Sequence, residues 1–400
     1  MTRRAAVAAG PRLAVVAALL LGAARAGAAQ VGPLTGYALN VAGASASSPF
    51  SAGGVSDFQR LRLMLSPAFG PLRLEAAYEQ LFLYQARPGA AFTALTPGTA
   101  SASGEWLDLD WTLAQRGDVL WRHRFDRLNL SFAGSGYEVR VGRQTISWAT
   151  TLLLTPADPF APFDPSDPFR EYRSGVDAAR LQYFPGPFSS VDLVIRPIRT
   201  PRGRTLSAAA RGKVTLGSVD LSAWGGVAYG DPAAAVGATG AVAGAAWRAE
   251  ISVREDSTGR AVPRAAAGLD RRWTVFGRDL YAIVELQHDG FGAARAADLV
   301  AVLGSAPLQR GELQALGRDV TAAELTYQVH PLVSAELLTL WDLGDGSLIV
   351  APAAALSASN DVTLRAGAYL SAGRGVTGTA PGSEFGSVPR FGYASVSLFF

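Results

Sequence analysis

In segment after segment, along nearly the whole chain, apolar residues take every second position and polar or charged residues take those between. Leu72, Leu74, Ala76 and Tyr78 alternate with Arg73, Glu75, Ala77 and Glu79. Trp247, Ala249, Ile251 and Val253 alternate with Arg248, Glu250, Ser252 and Arg254. Leu61, Leu63 and Leu65 do so with Arg60, Arg62 and Met64, and Leu364, Ala366, Ala368 and Leu370 with Thr363, Arg365, Gly367 and Tyr369. Neighbouring strand residues point to opposite faces, so this period marks strands with one apolar and one polar side.

A soluble sandwich would alternate too, but over about 100 residues per domain. Here the pattern runs through most of 400 residues. Its polar phase carries many charges, as the wall of a water-filled lumen does. In lipid only a closed barrel pairs every strand hydrogen-bonding group. The fold expected is all-β, a transmembrane antiparallel β-barrel. After residue 29 no stretch reaches the roughly 18 apolar residues of a spanning helix. The chain ends Gly392, Ala394, Val396, Leu398, Phe400 on the apolar phase. That ending resembles the C-terminal insertion signal of bacterial outer-membrane barrels. It implies an integral protein in contact with outer-membrane lipid, whose last strand, ending at Phe400, is read by the barrel-insertion machinery.

Residues 1–29 read as a signal peptide: Arg3, Arg4, Arg12 and Arg25 without an acid, an apolar run over 13–22, and a small-residue exit at 26–29. Four of the 36 basic residues lie there, leaving 32 against 33 acids. The formal charge of +3 therefore belongs to the leader, and nucleic acid is excluded as a partner. The chain has no cysteine, which rules out disulfides and thiolate metal sites.

Tight turns are expected at 67–71, 134–136, 185–187, 217–218, 277–279, 330–331 and 359–361. Longer stretches at 85–118, 149–173, 290–317 and 372–388 read as loops on the other side. Short periplasmic turns and long extracellular loops are the asymmetry of outer-membrane barrels. Residues 30–400 then form one barrel of about 18 strands, an even number that keeps both ends periplasmic. The count falls to sixteen if the alanine-rich hairpin 233–246 does not form, and 105–118 has room for a further strand.

Eighteen strands ~4.8 Å apart and tilted by ~40° enclose a diameter of about 35 Å, too wide for side chains to fill. One segment stands out as a filler. Prolines occupy 156, 159, 162, 165 and 168. In a polyproline II helix, with three residues per turn, they would stack on one face and span about 37 Å. Phe160, Phe163 and Phe169 would share a second face for packing on the wall. Asp158, Asp164 and Asp167 would share a third, facing water. The expectation is an inward-folded Pro/Asp-rich loop over 149–173; an exposed surface loop is the alternative. Calcium on the aspartate face is disfavoured, because carboxylates one turn apart on this helix sit ~9 Å from each other.

The run Val139–Arg143, Gln144 and Trp148, leading into this loop, resembles the strand before the inward-folded third loop of porin-like outer-membrane proteins. Residues 139–183 resemble alginate-export and related porin-type barrels, in which a Gly-Arg-Gln stretch ends in an aromatic. The resemblance implies passage of a solute through the lumen. Alternation slips near Gly142, and a bulge there would swing Arg143 inward, while Ile146 and Trp148 would face lipid. The pore-lining set expected is Arg60, Arg62, Arg140, Arg143 and Arg365 against Asp158, Asp164 and Asp167, with Phe160, Phe163 and Phe169 beside the path. Such a lining suits small polar or anionic solutes, or a polysaccharide.

No catalytic, metal or cofactor site is expected. His288 and Asp289 are adjacent on a strand and point to opposite faces. A barrel that presents loops 85–118 and 290–317 for adhesion or assembly is the alternative, and a barrel hydrolase a weaker one. How many copies assemble is left open.

Overall fold

A computed structural model describes residues 34–47, 53–86, 104–160, 169, 172–200, 203–378 and 380–400. The signal-peptide segment 1–29 lies outside the described residues. The first strands are β1 (Leu34–Ser45), β2 (Gly54–Leu65), β3 (Ala68–Phe69), β4 (Leu72–Gln85), β5 (Asp110–Arg116), β6 (Val119–Gly134) and β7 (Tyr137–Gln144). Then come β8 (Val176–Gly186), β9 (Ser189–Thr200), β10 (Gly203–Leu216), β11 (Val219–Ala228), β12 (Asp231–Val242) and β13 (Ala245–Glu255). The last are β14 (Ala261–Val275), β15 (Arg278–Asp289), β16 (Asp319–His330), β17 (Val333–Asp342), β18 (Leu348–Ser357), β19 (Val362–Ala372) and β20 (Phe391–Phe399). Without the short β3 and β5, 18 antiparallel strands form the wall, and β1 closes the ring on β20 from Tyr37↔Phe399 to Ser45↔Phe391.

The alternation sorts inside from outside. In β13, Glu250, Ser252 and Arg254 are buried while Ile251 and Val253 are exposed. The same reversal leaves Leu130, Val141, Ile195, Val236, Leu269 and Leu286 at least half exposed on the outer surface. Polar groups buried and aliphatics exposed is the arrangement a lipid-embedded wall requires. The alanine-rich hairpin forms: β12 and β13 pair through ten residues from Ala233↔Arg254 to Val242↔Ala245. Alanine has weak strand preference, but in a closed wall the neighbouring strands on both sides decide.

The wall departs from the sequence pattern between β6 and β8. Strand β7 leaves the wall at Gln144, and Ile146 and Trp148 are buried instead of facing lipid. The register of β6 with β7 runs through Gly142 without a shift. The bulge lies in β6, where Ala77 pairs with Arg127 and Tyr78 with Phe125, so Asp126 and Arg127 are both buried. Where β7 has ended, residues 119–124 of β6 pair with β5 instead. The 104–116 stretch thus covers the opening left by the departing chain.

Candidate lumen site

Beyond Gln144 the chain runs along the inner side of the wall, and carboxylates on two wall strands receive its backbone. Glu250 of β13 accepts from the N–H groups of Thr150 (2.6 Å), Thr151 (3.3 Å) and Ala157 (3.1 Å). Glu285 of β15 accepts from Leu152 (2.7 Å), Leu153 and Leu154 (both 2.8 Å). Gln314, from the 290–318 connection, accepts from the Thr155 N–H (2.5 Å) and donates to the Leu153 carbonyl (2.8 Å). Most of this segment is buried, and buried N–H groups without water need protein partners of this kind. Gly237 of β12 makes the approach possible: a Cβ there would lie 2.2 Å from Thr150 Oγ1.

Aromatic packing fixes the same segment. The Trp148 ring meets Phe160 edge-on at 4.9 Å between centroids and Trp224 at 6.1 Å. Its indole N–H donates to Asp192 (3.0 Å). From other wall strands, β2, β6 and β9, arginines take the carbonyls. Arg196 donates to Phe160 O (2.7 Å), Arg60 to Phe169 O (2.9 Å), and Arg127 to Arg173 O. Phe169 packs edge-on against Tyr393 (4.7 Å), and Tyr172 stacks on Tyr37 with the Arg62 guanidinium 4.6 Å from its ring.

Several expected pore residues sit differently from their sequence assignment. The proline run does not begin as a straight polyproline rod. Pro156 and Ala157 form a turn closed by Asp158 N–H on Thr155 O (3.1 Å), and polyproline II has no internal hydrogen bonds. Proline suits the second position of such a turn. Asp158 accordingly does not face water: it is buried, accepting from Ser147 Oγ (2.8 Å), the Phe160 N–H (3.1 Å) and Arg173 (3.3 Å). Ser147 and Arg173 also hydrogen-bond each other (2.8 Å), which draws the two ends of the segment together. Phe160 and Phe169 are both buried. Phe163, Asp164 and Asp167 lie outside the described residues.

Arg143 is not a water-facing lining residue. It is 1% exposed, spans both Asp177 oxygens (2.8 and 2.9 Å), pairs with Glu105 (2.8 Å) and donates to the carbonyls of Leu107 and Phe125. Asp177 in turn accepts the N–H groups of Trp106 and Leu107. Arg143 therefore pins the covering stretch 104–109 to the seam where β7 leaves the wall. Arg62 lies in a buried relay with Glu79 and Asp126, joined by Arg124 and Arg127. Arg140 is half-buried between Glu138 (2.6 Å) and Glu75 (3.6 Å), and Arg365 pairs with Glu336. His288 meets Asp319 of the next strand (2.7 Å) rather than Asp289, which binds Arg264.

Glu250 falls on the polar phase of the 247–254 alternation, and Glu285 sits between Val284 and Leu286 in the same way, with no local sign of a role. Nothing local distinguishes a lining carboxylate from one that holds a backbone about a hundred residues away.

No family model matches the chain, and no curated protein matches it in sequence. Its fold is that of solved outer-membrane barrels. OccAB1 of Acinetobacter baumannii aligns at TM-score 0.52 with 10% identity, over 92% of this chain and 96% of that one. A BenF-like porin from Pseudomonas fluorescens Pf-5 aligns at 0.51 with 9% identity, over 92% and 98%. Wzi of Escherichia coli, described as a carbohydrate-binding β-barrel involved in group 1 capsule assembly, aligns at 0.54 with 7% identity, over 96% and 88%.

Proposed function

Starting from a porin-like barrel integral to the outer membrane, we propose that the chain is a passive channel for small polar solutes, narrowed by the segment 145–160. One observation carries this reading: the backbone of 150–157 hangs on Glu250 and Glu285, whose side chains belong to the inner face of the wall. Backbone held there occupies the cross-section that wall side chains cannot fill. Arg62, Arg140, Arg143 and Arg365 are paired with acids, and Arg60 and Arg196 are spent on carbonyls, so selectivity rests on size and on the local field rather than on a free positive surface. Small neutral and anionic solutes both suit it, and a polysaccharide only if the described constriction widens.

Purified protein in a planar bilayer should give ohmic conductance steps. Folded, heat-modifiable barrel that stays silent would overturn the channel reading. It would favour a barrel that presents its surface. That second reading has one observation of its own: residues 290–318 build a separate apolar cluster from Ala293, Leu299, Val302 and Leu313. By analogy with the porin folds above, no catalytic role is proposed.

A further inference from the structure

The connection that reaches the inner segment is itself held from outside. Glu384, in the loop between β19 and β20, is buried and accepts the backbone N–H groups of Leu316 (2.6 Å) and Gly317 (2.7 Å). Its own N–H donates to Asp345 (2.6 Å), and the Phe385 N–H to Ser347 Oγ (3.0 Å). The Asp342 carboxyl at the end of β17 adds a second acidic group beside Glu384, and neighbouring buried carboxylates repel unless one of them holds a proton. Gly317 passes so close that a Cβ would lie 2.5 Å from Asp342 Oδ2. Two residues before Leu316 stands Gln314, which grips Leu153 and Thr155. An unbroken run of contacts therefore leads from the 373–390 loop, through 314–317, to the segment inside the lumen.

We propose that Glu384, Asp342 and Asp345 form a proton-held latch, and that alkaline conditions outside the cell release it and loosen the constriction. This rests on the channel reading above and adds its regulation. The charged groups on the surrounding elements are Asp342 and Asp345 on the 342–347 turn, Arg318 beside Gly317, and Arg374 at the start of the loop that carries Glu384. Burial, with Asp342 and Asp345 adding to it, pushes the Glu384 carboxyl up to about 8 from an ordinary 4.5. A docked value above the free one means that the docked loop holds an extra proton between them. Docking is then strongest at acid pH and weakens by up to tenfold per unit until pH passes the docked value. Above it, carboxylates face one another in a buried site.

The test combines conductance with protease access to residues 373–390, on full-length barrel, as the pH on the loop side rises from 6 to 9. Wild type should show a several-fold rise in current fluctuation and in cleavage across this range. Glu384→Gln, which stays neutral, should be flat in both. Gln314→Ala should keep the pH-dependent cleavage and lose the change in current, because the latch opens without its link to Leu153 and Thr155. An unaltered pH profile in Glu384→Gln overturns the latch. Wild-type cleavage that rises while current stays constant overturns the coupling. If bilayers are silent at every pH, the channel reading fails, and the cleavage profile still decides whether the latch exists.

Discussion

Two parts of the wall hold successive stretches of the inner backbone by opposite means. On the β13–β15 side, two carboxylates collect six N–H groups. On the β2 and β9 side, single guanidinium donors meet single carbonyls, at Phe169 and Phe160. A carboxylate has two oxygens and about four acceptor positions, so it can gather a turn of consecutive donors. An arginine offers its donors as a planar fork, and here Arg60 and Arg196 also face the rings of Phe58 and Tyr229. The acidic side therefore positions the segment, and the basic side closes around it.

The largest expected effect tests whether the segment matters at all. Deleting residues 157–168 should raise conductance several-fold while heat-modifiability on gels persists, since wall strands keep their own hydrogen bonds. Unchanged conductance in a folded deletion variant would remove the constriction.

Next comes the contrast between sides. Glu250→Ala with Glu285→Ala strands six donors, whereas Arg60→Ala with Arg196→Ala strands two carbonyls. Each lost charge-assisted hydrogen bond is worth roughly 1.5–3 kcal/mol. The acidic double variant should conduct more, and more noisily, than the basic one. Equal effects would mean that packing of Phe160 and Phe169, not the carboxylates, fixes the segment.

A third variant separates seam from lumen. Arg143→Ala leaves Asp177 and Glu105 buried without their cation, a loss of about 3–5 kcal/mol for a broken buried pair. It should lower the barrel's denaturation midpoint and leave the reversal potential in a salt gradient in place. The smallest effect belongs to Arg140→Ala, which removes a partly exposed cation between Glu138 and Glu75. Its reversal potential should move slightly toward cations, and a larger shift from Arg143→Ala would reverse the assignment of the two.

The wall was legible because its signal is periodic and local. Strand after strand could be placed from apolar residues two apart, down to the hairpin on either side of Ala243. The signal misled where a residue kept the pattern for another reason. Ile146 and Trp148 read as an alternation resumed after the slip at Gly142, yet they are apolar because they pack inside the lumen, around Phe160 and Trp224. The proline spacing likewise suggested one conformation, while Thr155 and Asp158 closed a turn across Pro156. Hardest to read was pairing. Arg62 with Asp126, or Arg143 with Glu105, depends on which strands become neighbours and on where β6 bulges, and one sequence carries no mark of either.

The carboxylate grip on the inner segment also bears on how the barrel assembles. The hydrogen bonds of this segment to Glu250, Glu285 and Gln314 join residues separated by 100, 133 and 161 positions. Contacts of such long range form slowly, because chain entropy is lost before they can contribute. Residues 150–157 cannot find Glu285 until fifteen strands have been laid down, nor Gln314 until the following connection exists. The seam at Arg143 needs no such wait, since Glu105, Phe125 and Asp177 all lie within 40 residues of it in sequence. The barrel is therefore expected to acquire its wall early and its inner segment last, so that arrested assembly yields a wide, open ring rather than a filled one.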